Sequence, residues 1–364
     1  MTTTPDLHPD VHERLHRGVV IPAHPLALNA ERKLDEQRQA ALTRYYLDAG
    51  AGGVAVGVHT TQFEIRQAGL YEEVLTIAAE TARSMDLPHR PIMVGGVVGP
   101  TEQAVSEAEI AARLGYDLAL VSLGGLRDWS DEELVAHIAR VSEVIPVFGF
   151  YLQPSVGGRL LGYNFWRQVA DIEGVKAIKM APFNRYQTQD VVRAVVESSR
   201  RDDIALYTGN DDNILPDLLT TFRFVVDGTP VEKRIVGGLL GHWAAWTRSA
   251  VEQLEACHRA VEAKDGEAIS RLMTLGVAVT DSNSAFFDPQ HSFKGSIAGI
   301  HEVLRRQGLL EGIWCINPEE TLSPGQMEEI DRVYASYPEL NDDAFVRDGL
   351  PRWLDQAIQT GAGS

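Results

Sequence analysis

Short apolar runs rich in valine and isoleucine alternate along the chain with longer amphipathic stretches. The runs are GVVIPA (18–23), GGVAVGV (52–58), RPIMVGGV (90–97), DLALVSL (117–123), IPVFGFYL (145–152), GVKAIKM (174–180), DIALYTG (203–209) and RIVGGLLG (234–241). Segments of helical period follow them at 31–50, 71–85, 101–115, 130–144, 163–172, 188–200, 212–224 and 246–264. Continuous rather than alternating hydrophobicity marks strands covered on both faces, as in parallel sheets. Eight strand–helix units within about 250 residues predict an α/β chain closed into a (β/α)8 TIM barrel.

Local signals add detail. Thr101, Ser130 and Thr188 are placed to cap the helices they precede, and acids follow in TEQA and SDEE. The Asp-Gly pair in VVDGTPVEKR (225–234) predicts a small hairpin or loop ahead of the eighth strand. Beyond residue 264 the strand pattern stops, and 266–287, 296–312, 323–340 and 343–359 carry helical patterns. The chain therefore divides into a barrel, 1–264, and a helical C-terminal segment, 265–364, packed on it. The tail TGAGS is expected to be disordered.

Charge and cysteine content narrow the function classes. Thirty-three basic against fifty-one acidic residues give a formal charge of −18, which disfavours nucleic acid and anionic membranes as partners. Cys257 and Cys315 form neither a disulfide framework nor a metal motif and are expected as reduced thiols. The first eighteen residues are polar, unlike a signal peptide, and no apolar run approaches the roughly 20 residues of a membrane span. A cytoplasmic location is expected.

One residue breaks the pattern of the sixth strand. Lys179 sits among Ile178, Met180, Ala181 and Pro182, where an unpaired charge costs several kcal/mol. It is paired with an acid such as Asp211, turned to solvent, or kept neutral for chemistry. Working residues of TIM barrels lie at the C-terminal ends of strands, which is where Lys179 falls. A desolvated, neutral amine there can attack a ketone to form an imine. Tyr151, ending the neighbouring strand, is a candidate proton shuttle. His24, Glu64 and His242 have no metal-ligand spacing, and the glycines at 96–99 and 237–241 lack a dinucleotide fingerprint.

These features resemble the dihydrodipicolinate synthase/N-acetylneuraminate lyase family of Schiff-base barrels. GFYLQPSVGGRLL (149–161) is similar to its fifth-strand segment, and GVKAIKMA (174–181) to its lysine strand. The tyrosine-to-lysine separation, 179 − 151 = 28, matches the family's. VGVHTTQF (56–63) is similar to the loop that binds the substrate carboxylate, and GNDD (209–212) to the segment after strand seven. The resemblance implies Lys179 and Tyr151 as catalytic residues, with His59, Thr60, Thr61, Gly209, Asp211 and Asp212 contacting substrate. A protonated His59 would strengthen carboxylate binding. Capping of the next helix is the alternative role for Asp211 and Asp212.

The chain departs from the family at three points. Thr61-Gln62 replaces Gly-Glu, Val156 stands where the synthases have arginine, with Arg159 three positions late, and SLGGLRDW (122–129) lacks the synthase tyrosine. Dihydrodipicolinate synthase activity is therefore not expected. The expected function is a lyase, an aldolase or hydratase-aldolase on a 2-oxo acid such as pyruvate or a sugar-derived 2-keto acid. No metal or organic cofactor is expected, and the resemblance implies a homo-oligomer, a tetramer or dimer. A sugar-acid dehydratase using the same imine and a non-catalytic barrel binding a small acid are the alternatives.

Overall fold

The computed structural model describes residues 5–356. Eight parallel strands form the barrel: β1 (Val20–Pro22), β2 (Gly53–Val56), β3 (Ile92–Val97), β4 (Leu118–Val121), β5 (Val147–Tyr151), β6 (Val175–Met180), β7 (Ala205–Thr208) and the second half of β9 (Thr229–Leu240). The hydrogen-bonded order is β1-β9-β7-β6-β5-β4-β3-β2. A bridge between Ala23 and Ala55, with His24 N donating to Ala55 O at 2.8 Å, brings β1 and β2 together and closes the ring. Short strands buried at almost every position explain the continuous apolar runs: one face meets the barrel interior, the other the helices.

The surrounding helices are α2 (Glu36–Asp48), α3 (Tyr71–Ser84), α4 (Thr101–Arg113), α5 (Asp131–Ser142), α6 (Tyr163–Ala170), α7 (Arg185–Val196), α8 (Ile214–Leu219) and α9 (Thr247–Glu262). Their apolar stripes and the outward strand residues form one core, in which Trp166, Tyr46 and Trp243 are fully buried. A second core fills the barrel, with Phe148 and Tyr207 edge to face at 5.2 Å. Truncating such a filled-in aromatic to alanine costs about 3–5 kcal/mol. The barrel floor is closed by α1 (Pro9–Arg17), whose Val11 and Leu15 pack into that interior and whose Leu15 carbonyl accepts the Tyr207 hydroxyl at 2.9 Å. Polarity of the N-terminal sequence had hidden this helix, because only two of its residues face inward.

Three expectations need correction. The stretch 212–224 is not one helix: α8 ends at Leu219, and β8 (Thr221–Val226) pairs antiparallel with the first half of β9. The turn is the expected Asp-Gly, with Asp227 and Gly228 both at positive φ, but the hairpin is longer than expected. TTFRF (220–224) is rich in β-branched and aromatic residues, which favour a strand over extension of the helix. Of the expected caps, Ser130 accepts from Glu133 N in a capping box. Thr101 instead hydrogen-bonds His137 Nδ1, and Asn184 caps α7 in place of Thr188.

Beyond the barrel, α10 (Gly266–Phe287), α11 (Ser296–Arg306), α12 (Gln326–Ser336) and α13 (Asp343–Asp355) pack against α8, α9 and α2. The expected helices are present, each starting where the sequence pattern does or a few residues later. The TGAGS tail lies outside the described residues. None of the described helices is long and apolar enough to cross a membrane.

Candidate active site

Strand alternation decides which residues reach the barrel mouth. Along β5, Phe148 and Phe150, and Leu152 just past its end, face the interior, while Val147 and Tyr151 face the helices. Gly149 shares the outward face, since a Cβ there would lie 3.5 Å from the Trp166 ring. On β6, Ala177 and Ala181 face inward, and Lys179 lies between them, paired in register with Phe150. The Lys179 amine stands 4.4 Å from the Phe150 ring centroid. The side chain is 8% exposed, and among the described residues the amine has neither an ion pair within 4.0 Å nor a hydrogen bond. Burial pushes it down to about 8, against the opposing pull of Asp211.

Asp211 follows β7 in the same cavity. Its Oδ1 accepts from His242 N at 3.0 Å, and its carboxyl is pushed up to about 7 by burial, against the charge of Lys179. The loop carrying it is held by buried Asp217, which accepts from Thr208 Oγ1 at 2.7 Å, Asn210 Nδ2 at 2.9 Å and Arg185 at 2.6 Å. Gly209 leaves room for the lysine: an added Cβ would meet Lys179 Cε at 2.5 Å.

A cavity of about 70 Å³ opens above Lys179. His59, Thr60, Gly209 and Asp211 line it with Lys179. The His59 ring makes no hydrogen bond with any described residue, and burial followed by the Lys179 charge lowers it to about 4. Burial thus favours the neutral imidazole over the protonated form that would strengthen carboxylate binding. The Thr60 hydroxyl donates to Ala23 O at 2.8 Å. Arg66 anchors this loop by donating to the carbonyls of Gly57 at 3.1 Å and Gly96 at 2.9 Å while pairing with Glu107.

Three expected site residues lie elsewhere. Tyr151 is fully buried between β5 and α6; its ring packs 5.4 Å from Trp166 and its hydroxyl accepts from Leu161 N at 3.1 Å. One step along a strand turns a side chain through the sheet, so Phe150, not Tyr151, is the neighbour of Lys179. Thr61 sits behind the loop, where its hydroxyl donates to His24 O at 2.7 Å and accepts from Gly57 N at 3.0 Å. Asp212 is exposed at the surface, and the N-cap of α8 is Asn213, so neither aspartate caps that helix. His24 is turned into the wall, bonded to Pro25 O at 2.8 Å and Thr43 Oγ1 at 2.9 Å. Arg159 donates to Trp129 O at 2.5 Å and leaves Val156 at the cavity.

The rest of the lining went unread in the sequence. Val58, Leu120, Phe150, Leu152 and Phe183 come from the barrel, and Phe287, Phe293 and Ser296 from the C-terminal segment. Phe183 and Phe293 meet edge to face at 5.8 Å. Both have φ above zero, 51° and 66°, a conformation costing about 1–3 kcal/mol per residue. Phe183 N is held by Asn210 Oδ1 at 3.1 Å, and the loop bearing Phe293 by Asp288, which accepts from Gly295 N at 3.2 Å. Alternation around Gly149 was a usable signal for Phe150; the C-terminal phenylalanines had none, because their place depends on tertiary packing.

Residues 17–229, more than half of the chain, match the profile of the Dihydrodipicolinate synthetase family. N-acetylneuraminate lyase of Citrobacter koseri is 27% identical over 208 residues, 56% of this chain and 65% of that protein. The 4-hydroxy-tetrahydrodipicolinate synthase of Chlorobium phaeobacteroides is 26% identical over 188 residues, 51% of this chain and 60% of that protein. The matched part thus spans less than two thirds of either relative. In three dimensions the chain is similar to dihydrodipicolinate synthase from Oceanobacillus iheyensis, with a TM-score of 0.70 at 17% identity over 90% of this chain and 99% of that one. The barrel, its added helices and the profile match lead to one conclusion: the chain belongs to the dihydrodipicolinate synthetase family.

Proposed function

We propose that the protein is a Schiff-base-dependent lyase that cleaves or forms a carbon–carbon bond next to a 2-oxo acid. One observation carries this reading: a buried lysine amine with no ion pair or hydrogen bond among the described residues, facing a cavity at the end of β6. A structural lysine at this depth would be expected to hold an acid. The relatives' names, a lyase and a synthase, agree with it.

In this proposal neutral Lys179 attacks the 2-oxo carbon, forming a carbon–nitrogen bond, and the resulting carbinolamine loses water to give a protonated imine. The substrate carboxylate lies toward His59 and Thr60. Deprotonation of the hydroxyl on the second carbon beyond the imine carbon breaks the bond between that carbon and the one next to the imine. The aldehyde leaves, and the electron pair passes into an enamine. Protonation of its carbon and hydrolysis release the smaller 2-oxo acid, pyruvate in the simplest case, and restore the amine. Tyr151 faces away, so the proton carrier must be another group in the cavity. Asp211, with its raised affinity for a proton, is that group in this proposal, and neutral His59 is available beside it. The mechanism requires no metal or organic cofactor, and the family kinship favours a homo-oligomer.

Borohydride reduction in the presence of pyruvate tests the reading. A mass increase located at Lys179 by peptide mapping is expected. Its absence with a panel of 2-oxo acids would leave a barrel that binds small acids without this chemistry.

A further inference from the structure

The two ends of the cavity differ in chemistry. His59 and Thr60 stand after β2, and Lys179 and Asp211 at the ends of β6 and β7. Leu120 on β4, Phe150 on β5, and Leu152 and Val156 just beyond it make the wall between them apolar. Phe183, Phe287 and Phe293 close it from above. With the carboxylate toward the β2 loop, this wall is the apolar surface open to the chain beyond the imine carbon.

We infer that the substrate ends in a planar apolar group, so that the carbonyl product is an aryl aldehyde rather than a polyhydroxy one. The inference rests on the Schiff-base reading for its chemistry, but the wall supports it by itself. A sugar-like tail carries a hydroxyl on nearly every carbon, and each needs a partner once water is displaced. On this side the cavity offers Gln153, whose carbonyl oxygen already accepts from Ser155 N, and Ser296. The aromatic residues instead present ring faces and edges. Phe183 and Phe293 already meet edge to face, with an interplanar angle of 70°, an arrangement a third ring can join. Both are fixed in left-handed backbone by hydrogen-bonded loops, so the apolar roof is built in advance. Gly241 contributes by absence: a Cβ there would lie 2.7 Å from the Phe287 ring.

The full-length protein is assayed for pyruvate release from the aldol of pyruvate with benzaldehyde and from the aldol of pyruvate with glyceraldehyde. The expected result is a kcat/KM at least roughly 100-fold higher for the aryl compound. Phe293→Ser should narrow that ratio about tenfold by opening the roof to water. Equal rates, or preference for the glyceraldehyde aldol, while pyruvate and borohydride still label Lys179, would overturn the inference and leave the Schiff-base reading standing. A second measurement avoids the imine: equilibrium binding of phenylbutanoate and of gluconate, neither of which has a ketone. Tighter binding of phenylbutanoate, by about tenfold or more, supports the wall's role even if no adduct forms at Lys179. The reverse order overturns it whatever the trapping experiment gives.

Discussion

The β6–β7 side of the cavity and its β4–β5 side are built on opposite principles. On the first, Lys179 and Asp211, with the His59 ring facing them from the β2 loop, are buried with fewer partners than their polarity demands, a destabilising arrangement that a fold keeps only where something else holds it in place. Here the holding is visible in the Asp217 network, in Gly209 and in Arg66. On the second side, Phe150, Leu152 and Val156 follow ordinary packing rules and put nothing reactive at the surface. The family profile covers Lys179 and Asp211 but ends at residue 229, before Phe287, Phe293 and Ser296. The proposed chemistry thus falls to strand ends inside the matched stretch, while two of the three phenylalanines of the roof come from the C-terminal segment. Variants that remove one side and spare the other should separate the two.

The largest effect is expected at Lys179. Lys179→Ala should abolish the borohydride adduct and lower turnover by about 10³-fold or more, because among the described residues no other amine lines the cavity. Lys179→Met adds a readout of stability. An unfolded lysine titrates near 10.4, and the folded one at about 8. Between those values the unfolded chain binds a proton that the native one does not, so this group makes stability rise with pH across that window. Below it both forms are charged and the full burial penalty is present. The difference between wild-type and Lys179→Met unfolding curves should therefore shrink from pH 8 to pH 10, measured by denaturant titration. A difference independent of pH would mean that the amine is not desolvated.

Asp211→Asn should come next, with turnover reduced about 10²-fold if the carboxyl moves the proton. The pH dependence of pyruvate trapping separates this from a loss of Lys179. Asp211 favours the ammonium, so its removal should lower the lysine pKa and shift the rising limb of trapping from about 8 to lower pH. A limb that stays in place, or moves upward, would show that the two groups do not sense each other. Gly209→Ala should be milder. Its Cβ would crowd Lys179 Cε and lie 2.9 Å from Ala181 Cβ, so the lysine must shift. A roughly tenfold loss in trapping rate is expected from that misplacement, with the pH limb unchanged.

Much of this contrast was legible in the sequence, unequally on the two sides. The barrel followed from continuous apolar runs, and Lys179 stood out because its charge contradicted its neighbours. Gly209 and Asp211 lay at a strand end, where such folds work. Tyr151 was misplaced because spacing along the chain, 28 residues to Lys179, carries no parity. The register of β5 against β6 shifts between Val147 and Phe148, and that irregularity decides which aromatic faces the lysine. Thr61 looked like a ligand residue because a hydroxyl near a site reads the same whether it faces the cavity or the loop's own backbone. The roof was illegible for another reason: α10 and α11 have ordinary helical patterns, and only their packing brings Phe287 and Phe293 over β6.

Tyr151 gives the smallest expected effect and the sharpest test of the boundary between the two sides. A phenol that relays protons to the imine contributes about 10²–10⁴-fold. The phenol described here accepts one backbone hydrogen bond, from Leu161 N, on the helix side of β5. Tyr151→Phe removes that acceptor and leaves the ring against Trp166. The buried N–H of Leu161 then lacks a partner, at a cost of about 1 kcal/mol or somewhat more. Turnover should fall no more than a few-fold, with the pyruvate adduct formed at its wild-type rate. A loss of 10²-fold at unchanged folding would mean that β5 turns its tyrosine to the cavity during turnover. Phe150 would then have to leave the lysine, because alternation along one strand does not let adjacent residues share a face.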